Sequence, residues 1–286
     1  MASLKEVKNR IASVNNTRKI TSAMKMVASS KLHRAQQSIE NMRPYESRLD
    51  NIMSTFVGSL EGEISSAYAE KREVKKVAIV LLTSNSSLCG GFNANAIKAL
   101  KKKIESYKQK GVEVVKIIPL GKKGLDATKK IWDNGLPDYS KLMDHPSYSS
   151  TMNISAELMN MYCDGEIDKV DLIYHHFKSS ASQILTEETF LPIELKNNGA
   201  GATPNYIVEP SVEAIVEELI PKVLHLKLYT ALLDSLASEH AARVIAMQIA
   251  TDNADELLQE LTLTYNKTRQ QAITTELLDI VGGQMR

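Results

Sequence analysis

Two cysteines in 286 residues, Cys89 and Cys163, stand in no CxxC spacing, which excludes a disulfide framework or a cysteine zinc site and predicts a reducing compartment. No apolar run reaches the roughly 18 residues of a membrane span, and the start, MASLKEVKNR, lacks a signal-peptide core. The expectation is a cytosolic or peripheral protein. The phosphate-loop pattern GxxxxGK[ST] is also missing, so the usual backbone cradle for a mononucleotide is absent. A formal net charge of +1 gives no overall pull toward nucleic acid or acidic lipid.

The charge is nonetheless uneven. Between Lys5 and Arg34 stand eight Lys or Arg and one acid, Glu6, while the last 78 residues carry twice as many acids as bases. Oppositely charged ends invite pairing. Both ends are also patterned as long helices. From Ser211 to Val281 apolar positions recur at alternating steps of three and four: Val212, Val216, Leu219, Val223, Leu226, Thr230, Leu233, Ala237, His240, Val244, Met247, Thr251, Ala254, Leu258 and Leu261. One helix of that length, on the order of 100 Å at 1.5 Å per residue, outruns any globule this chain can build. Beyond Leu263 the residues turn polar, so that end needs a sleeve of other subunits.

From Ser3 to about Gly58 a second seam places Leu4, Ile11, Arg18, Lys25, Leu32, Ile39 and Met53 at one heptad position. Val7, Val14, Thr21, Ala28, Ala35, Met42, Leu49 and Phe56 take the other. Ser3 with Glu6 reads as a capping box, and Pro44 is expected to kink or locally break the helix. The seam is polar or small between Arg18 and Ala28.

Between the helices the pattern changes. A Gly-bearing connector, Gly58 to Glu73, leads to strands at Lys76–Thr83, Val112–Pro119, Lys169–Phe177 and Gln183–Leu191. Helices near Asn93–Lys110, Leu125–Asp133 and Asn153–Cys163 alternate with them, and Lys196–Asn205 reads as a linker. This predicts an α/β fold with a mainly parallel sheet inserted between two helices that return as a long antiparallel coiled coil: 1–58, then 74–195, then 209–286.

Candidate chemistry is sparse. Cys89-Gly90-Gly91-Phe92-Asn93 lies where a phosphate loop would sit but lacks its spacing, and Asn93 is placed to cap the next helix. Gly121-Lys122-Lys123-Gly124 reads as a basic turn and Lys101-Lys102-Lys103 as a solvated face. His175 and His176 point to opposite faces of a strand ending at the surface, which is poor geometry for one metal. His240 is a packed or paired seam residue. No constellation is catalytic, and neither cofactor nor metal is expected.

Four stretches then carry a specific resemblance: NRIASVNNTRKITSAMKMVASSKL (9–32), LCGGFN (88–93), SEHAARVIAMQIATDNA (238–254) and YNKTRQQAITTELLDIVGG (265–283). Together they resemble the gamma subunits of bacterial F-type ATP synthases. The resemblance implies a central rotor shaft, one copy per complex, without a catalytic site of its own. It couples proton- or sodium-driven rotation of a c-ring to conformational cycling of catalytic beta subunits. Its implied partners are the alpha and beta subunits, epsilon and the c-ring, with no nucleic acid, at the cytoplasmic face of the cell membrane. It further implies beta-subunit contacts at Met24 and Lys25 (the MKM word), Arg269 and Gln270 (YNKxRQ), and Thr274 and Glu276 (ITxE). Two departures stand out: Ser84-Asn85-Ser86-Ser87 replaces the family's Ser-Asp-Arg-Gly, and Gln284 follows Gly283 where the family continues with Ala. The residues by themselves also leave open a nucleotide- or cofactor-binding α/β protein with a coiled-coil arm, or a tether that dimerises through its heptads.

Overall fold

A computed structural model describes residues 3–59, 66–70, 72–132, 135–193, 209 and 211–283. The connector around Gly62, the linker Lys196–Asn205 and the last residues, Gln284 to Arg286, lie outside them. The elements run α1 (Leu4–Ser59), β1 (Lys76–Leu82), α2 (Phe92–Gln109), β2 (Glu113–Leu120), α3 (Lys122–Thr128), α4 (Ser140–Asp144), α5 (Tyr148–Cys163), β3 (Lys169–Ser179), β4 (Ser182–Leu191) and α6 (Val212–Gly283). Two compact units result, residues 1–29 with 243–286 and residues 30–242, and the division falls inside both long helices.

The larger unit is built on a four-stranded sheet of order β2-β1-β3-β4, with β1 parallel to both neighbours and β4 antiparallel to β3. β1 is buried along nearly its whole length because both of its faces are covered. Val77, Ile79 and Leu81 pack with Ala96, Leu100 and Tyr107 of α2. Ala78, Val80 and Leu82 join the larger core of α5, the end of α1 (Leu49, Met53, Phe56) and α6 (Ile220, Leu224, Leu228, Leu232). Pro119 is tolerated in β2 because β2 is an edge strand.

In this unit α6 is buried on more than its heptad stripe: Leu224, Leu228, Leu232 and Ser235, outside the seam, are as inaccessible as Val223, Leu226 and Leu233 within it. The heptad pattern finds the helix but misses its second buried face, since sheet and helix claim different sides.

Pro44 does not break α1, which is helical on both sides of it. The ring removes one backbone donor, but Ile39, Leu49 and Met53 anchor the flanking turns in apolar surroundings. The expected start signal is present: the Ser3 hydroxyl accepts from the Glu6 amide at 3.2 Å. The short α4 carries no periodic signal and is not legible in the sequence.

Candidate functional site

In the smaller unit three consecutive layers of the seam are polar. Arg18 pairs with Asp255 at 2.9 Å, the hydroxyls of Thr21 and Thr251 meet at 2.8 Å, and the Lys25 ammonium donates to the Gln248 side-chain oxygen. Each step up α1 matches a step down α6, so the helices are antiparallel. Val7, Ala28, Met247, Ala254 and Leu261 close the seam with apolar contacts around these layers. The polar stretch foreseen between Arg18 and Ala28 is therefore satisfied from within the chain.

Carried onward residue for residue, this register sets Leu4 opposite about residue 269, so residues 270–283 of α6 pass the start of α1. Among the residues of α6 whose side chains are described, Leu261 is the last buried one. Ile273, Leu277 and Ile280, at helical steps of four and three, are 50%, 57% and 57% exposed. Spaced so, they form one apolar stripe on a helix end with no cover from the described residues, the pattern of a surface that others bury.

The six residues singled out by the family words fall into two places. Arg269, Gln270, Thr274 and Glu276 are all exposed and lie within about two turns of one another near that end. Arg269 and Glu276 share the stripe's face by helical spacing, whereas the Thr274 hydroxyl donates back to the Gln270 carbonyl at 2.9 Å. Met24 and Lys25 are half-buried about 30 Å along the helices from Arg269, so the structure does not bring the two groups together. Beside them Ile20, Met26 and Val27 are well exposed, an apolar patch the seam reading passes over because it lies off the heptad positions.

The larger unit offers the crevice where open α/β sheets take ligands, between the carboxyl ends of β1 and β3, where the strand order reverses. Here it is filled. Phe92, the first residue of α2, stacks on His175 at 4.3 Å between ring centroids, and both are nearly inaccessible, at 4% and 3%. Asn93 does not cap α2. Its side-chain oxygen instead accepts from the Ser84 amide at 3.0 Å, tying the loop after β1 to the helix. Gly121 and Gly124 are spacers: a Cβ at Gly121 would meet the Thr83 carbonyl oxygen at 2.1 Å, and the Gly124 amide donates to the Thr83 hydroxyl at 2.8 Å. Lys122, Lys123 and Gly124 are therefore the first residues of α3 and not a turn before it, because the close approach to Thr83 lets the helix begin directly after Gly121.

The two histidines do face opposite ways, but the strand does not end at the surface at His175. Its ring is buried under Phe92, Nδ1 has no hydrogen-bond partner among the described residues, and burial pushes its pKa down to about 4. His176 pairs with Asp234 of α6 at 2.5 Å. The carboxylate of Asp171, missed in the sequence because it sits in an apolar run, is buried and held by the Tyr107 hydroxyl, Lys103 at 3.3 Å and Lys169 at 3.1 Å. Burial, with the Asp171 carboxylate beside it, pushes the Tyr107 hydroxyl far up. Among the described residues no cluster of His, Cys, Asp and Glu has the makings of a metal site. No helix there is long and apolar enough to cross a membrane.

These features define a shaft-and-domain protein: an antiparallel helix pair with one helix overrunning the other, joined in sequence to an α/β domain whose ligand crevice is plugged. The ATP synthase family model matches residues 3–285. An ATP synthase gamma chain from Phocaeicola vulgatus is 57% identical, and one from Bacteroides thetaiotaomicron 53%, each alignment covering 100% of both chains. The rotor of the Euglena gracilis mitochondrial ATP synthase has the same fold at 22% identity, with a TM-score of 0.65 over 94% of this chain and 98% of that one. The chain belongs to the ATP synthase gamma-chain family, and with it to the subunits of that enzyme complex.

Proposed function

We propose that the chain is the central rotor shaft of an F-type ATP synthase. The observation that carries this reading is the end of α6, residues 270–283, which passes α1 and exposes the stripe Ile273, Leu277 and Ile280. A helix with such a face needs a surrounding surface, and a ring of alpha and beta subunits supplies one. Met24, Lys25, Arg269, Gln270, Thr274 and Glu276 are the beta-subunit contacts. Arg269 offers a planar fork suited to a carboxylate or carbonyl loop, and individually modest contacts of this kind can break and reform at each step of a turn.

The chain itself carries no catalytic site and holds no cofactor. It conveys force, and ATP chemistry belongs to the beta subunits. Residues 74–195 act as an inserted domain that takes epsilon and the c-ring, while 1–58 and 209–286 are the coiled-coil arms. One copy serves each complex, peripheral at the cytoplasmic face of the bacterial membrane. The plugged crevice at Phe92 and His175 favours this reading over a nucleotide-binding domain. Mixing the chain with matched alpha and beta subunits should yield a complex with rotary ATPase activity; failure to assemble would overturn the proposal.

A further inference from the structure

Within the larger unit a cleft of about 940 Å³ opens between α1, the strands β3 and β4, and α6. Three features of α1 meet over it. Pro44 removes a backbone hydrogen bond from the helix interior. Two residues on, the heptad count that puts Ile39 and Met53 in the core calls for an apolar residue, and the chain has Glu46. The flanking apolar anchors, Ile39 before and Leu49 after, leave this turn held by polar contacts.

Those contacts tie α1 to α6 and β3. Glu46 accepts a hydrogen bond from the Thr230 hydroxyl of α6 at 3.2 Å. One turn along α6, Asp234 pairs with His176 of β3 at 2.5 Å, and the neighbouring Phe177 carbonyl accepts from Arg43 of α1 at 3.4 Å. The other charged or titratable groups of the cleft are Asp50 on α1, Tyr174 on β3, Glu187 and Glu188 on β4, and Lys227 on α6. Lys227 is engaged by Glu188 at 2.8 Å, and Tyr174 donates to Glu188 at 3.1 Å. Lys103 engages Glu187 at 3.2 Å.

We propose that the turn of α1 at Pro44 to Glu46 is a proton-responsive latch: with Glu46 neutral it lies closed on Thr230, and with Glu46 ionised it opens over the cleft. The physical cause is the placement of one carboxylate at a core seam position among other carboxylates. Burial pushes the Glu46 carboxyl up, Asp50, Asp234 and Glu188 push it the same way, and the Thr230 hydroxyl opposes them. For such a group the ionised form is the costly one in the closed state, so closure is favoured in acid and lost as pH rises through the folded value. Pro44 makes the opening local, because the turn has already given up one of its hydrogen bonds.

Hydrogen exchange of the full chain, read on peptides covering residues 40–50 and corrected for the intrinsic effect of pH, tests this. Exchange there should be about tenfold faster at pH 8 than at pH 5, with residues 10–20 as a reference that does not change. Glu46→Gln should remain protected at both pH values, and Glu40→Gln, an exposed neighbour, should behave as wild type. Thr230→Val, which removes the one contact favouring the ionised form, should move the midpoint to higher pH. Equal protection at both pH values in the wild type, or a pH dependence that survives Glu46→Gln, overturns the proposal.

Discussion

The hydroxyls of Thr21 and Thr251 meet at 2.8 Å across the helix pair, and each also lies within hydrogen-bonding distance of a carbonyl on its own helix: Arg18 at 3.0 Å and Met247 at 2.8 Å. Two hydroxyl protons serve three contacts, so the layer holds together as a unit.

From that sharing follows a test by double-mutant cycle. Thr21→Val alone leaves a hydroxyl facing a methyl group and should cost about 1 kcal/mol, while Thr21→Val with Thr251→Val should recover most of that loss. Thermal unfolding of the four proteins measures the coupling. Strict additivity would contradict the shared layer.

The Asp171 cluster should be the most sensitive polar point of the α/β domain. Asp171→Ala leaves Lys103 and Lys169 without their common counter-charge and is expected to cost about 3 kcal/mol, and Tyr107→Phe about 1 kcal/mol. Denaturant midpoints would report both. The lysines keep some access to water, which holds the first figure at the low end for a broken buried pair.

Acid should weaken the same domain through His175. Its pKa falls to about 4 in the folded chain against an ordinary value near 6.5, so the unfolded chain takes up the proton first as pH falls. The sign is that of a buried neutral base: its contribution is intact above pH 6.5 and declines by about 3 kcal/mol on the way to pH 4. Stability measured across that window should flatten in His175→Leu, which removes the titrating ring.

Replacing Arg269 or Lys267, both exposed, should change the stability of the isolated chain by less than about 0.5 kcal/mol. In the assembled enzyme Arg269→Ala should weaken assembly or coupling more than Lys267→Ala. Equal and negligible effects there would contradict the proposed beta contact.

The long helices were legible because heptad spacing is a property of the helices themselves, and the strands because β-branched apolar runs leave few alternatives. The register was not legible, since it rests on which polar residues meet, Arg18 with Asp255 and Lys25 with Gln248, and many pairings satisfy the same spacing. Asn93 misled for a related reason: an Asn just inside a helix start is a capping signal, yet the Ser84 amide after β1, distant in no simple pattern, claims its oxygen. His175 looked like a strand end because nothing in the strand itself announces that Phe92 closes over it. At the candidate contact surface, family words singled out Arg269 and Gln270, while the apolar stripe of Ile273, Leu277 and Ile280 emerged only once the register showed that α1 does not reach it.

Rotation of the shaft can be watched directly, and Cys163, exposed on α5 while Cys89 is buried, provides a native handle for measuring it. A bead attached there, with the alpha and beta subunits of a reconstituted complex fixed to a surface, should turn in one direction when ATP is added. A complex that hydrolyses ATP while the bead stays still would contradict the account.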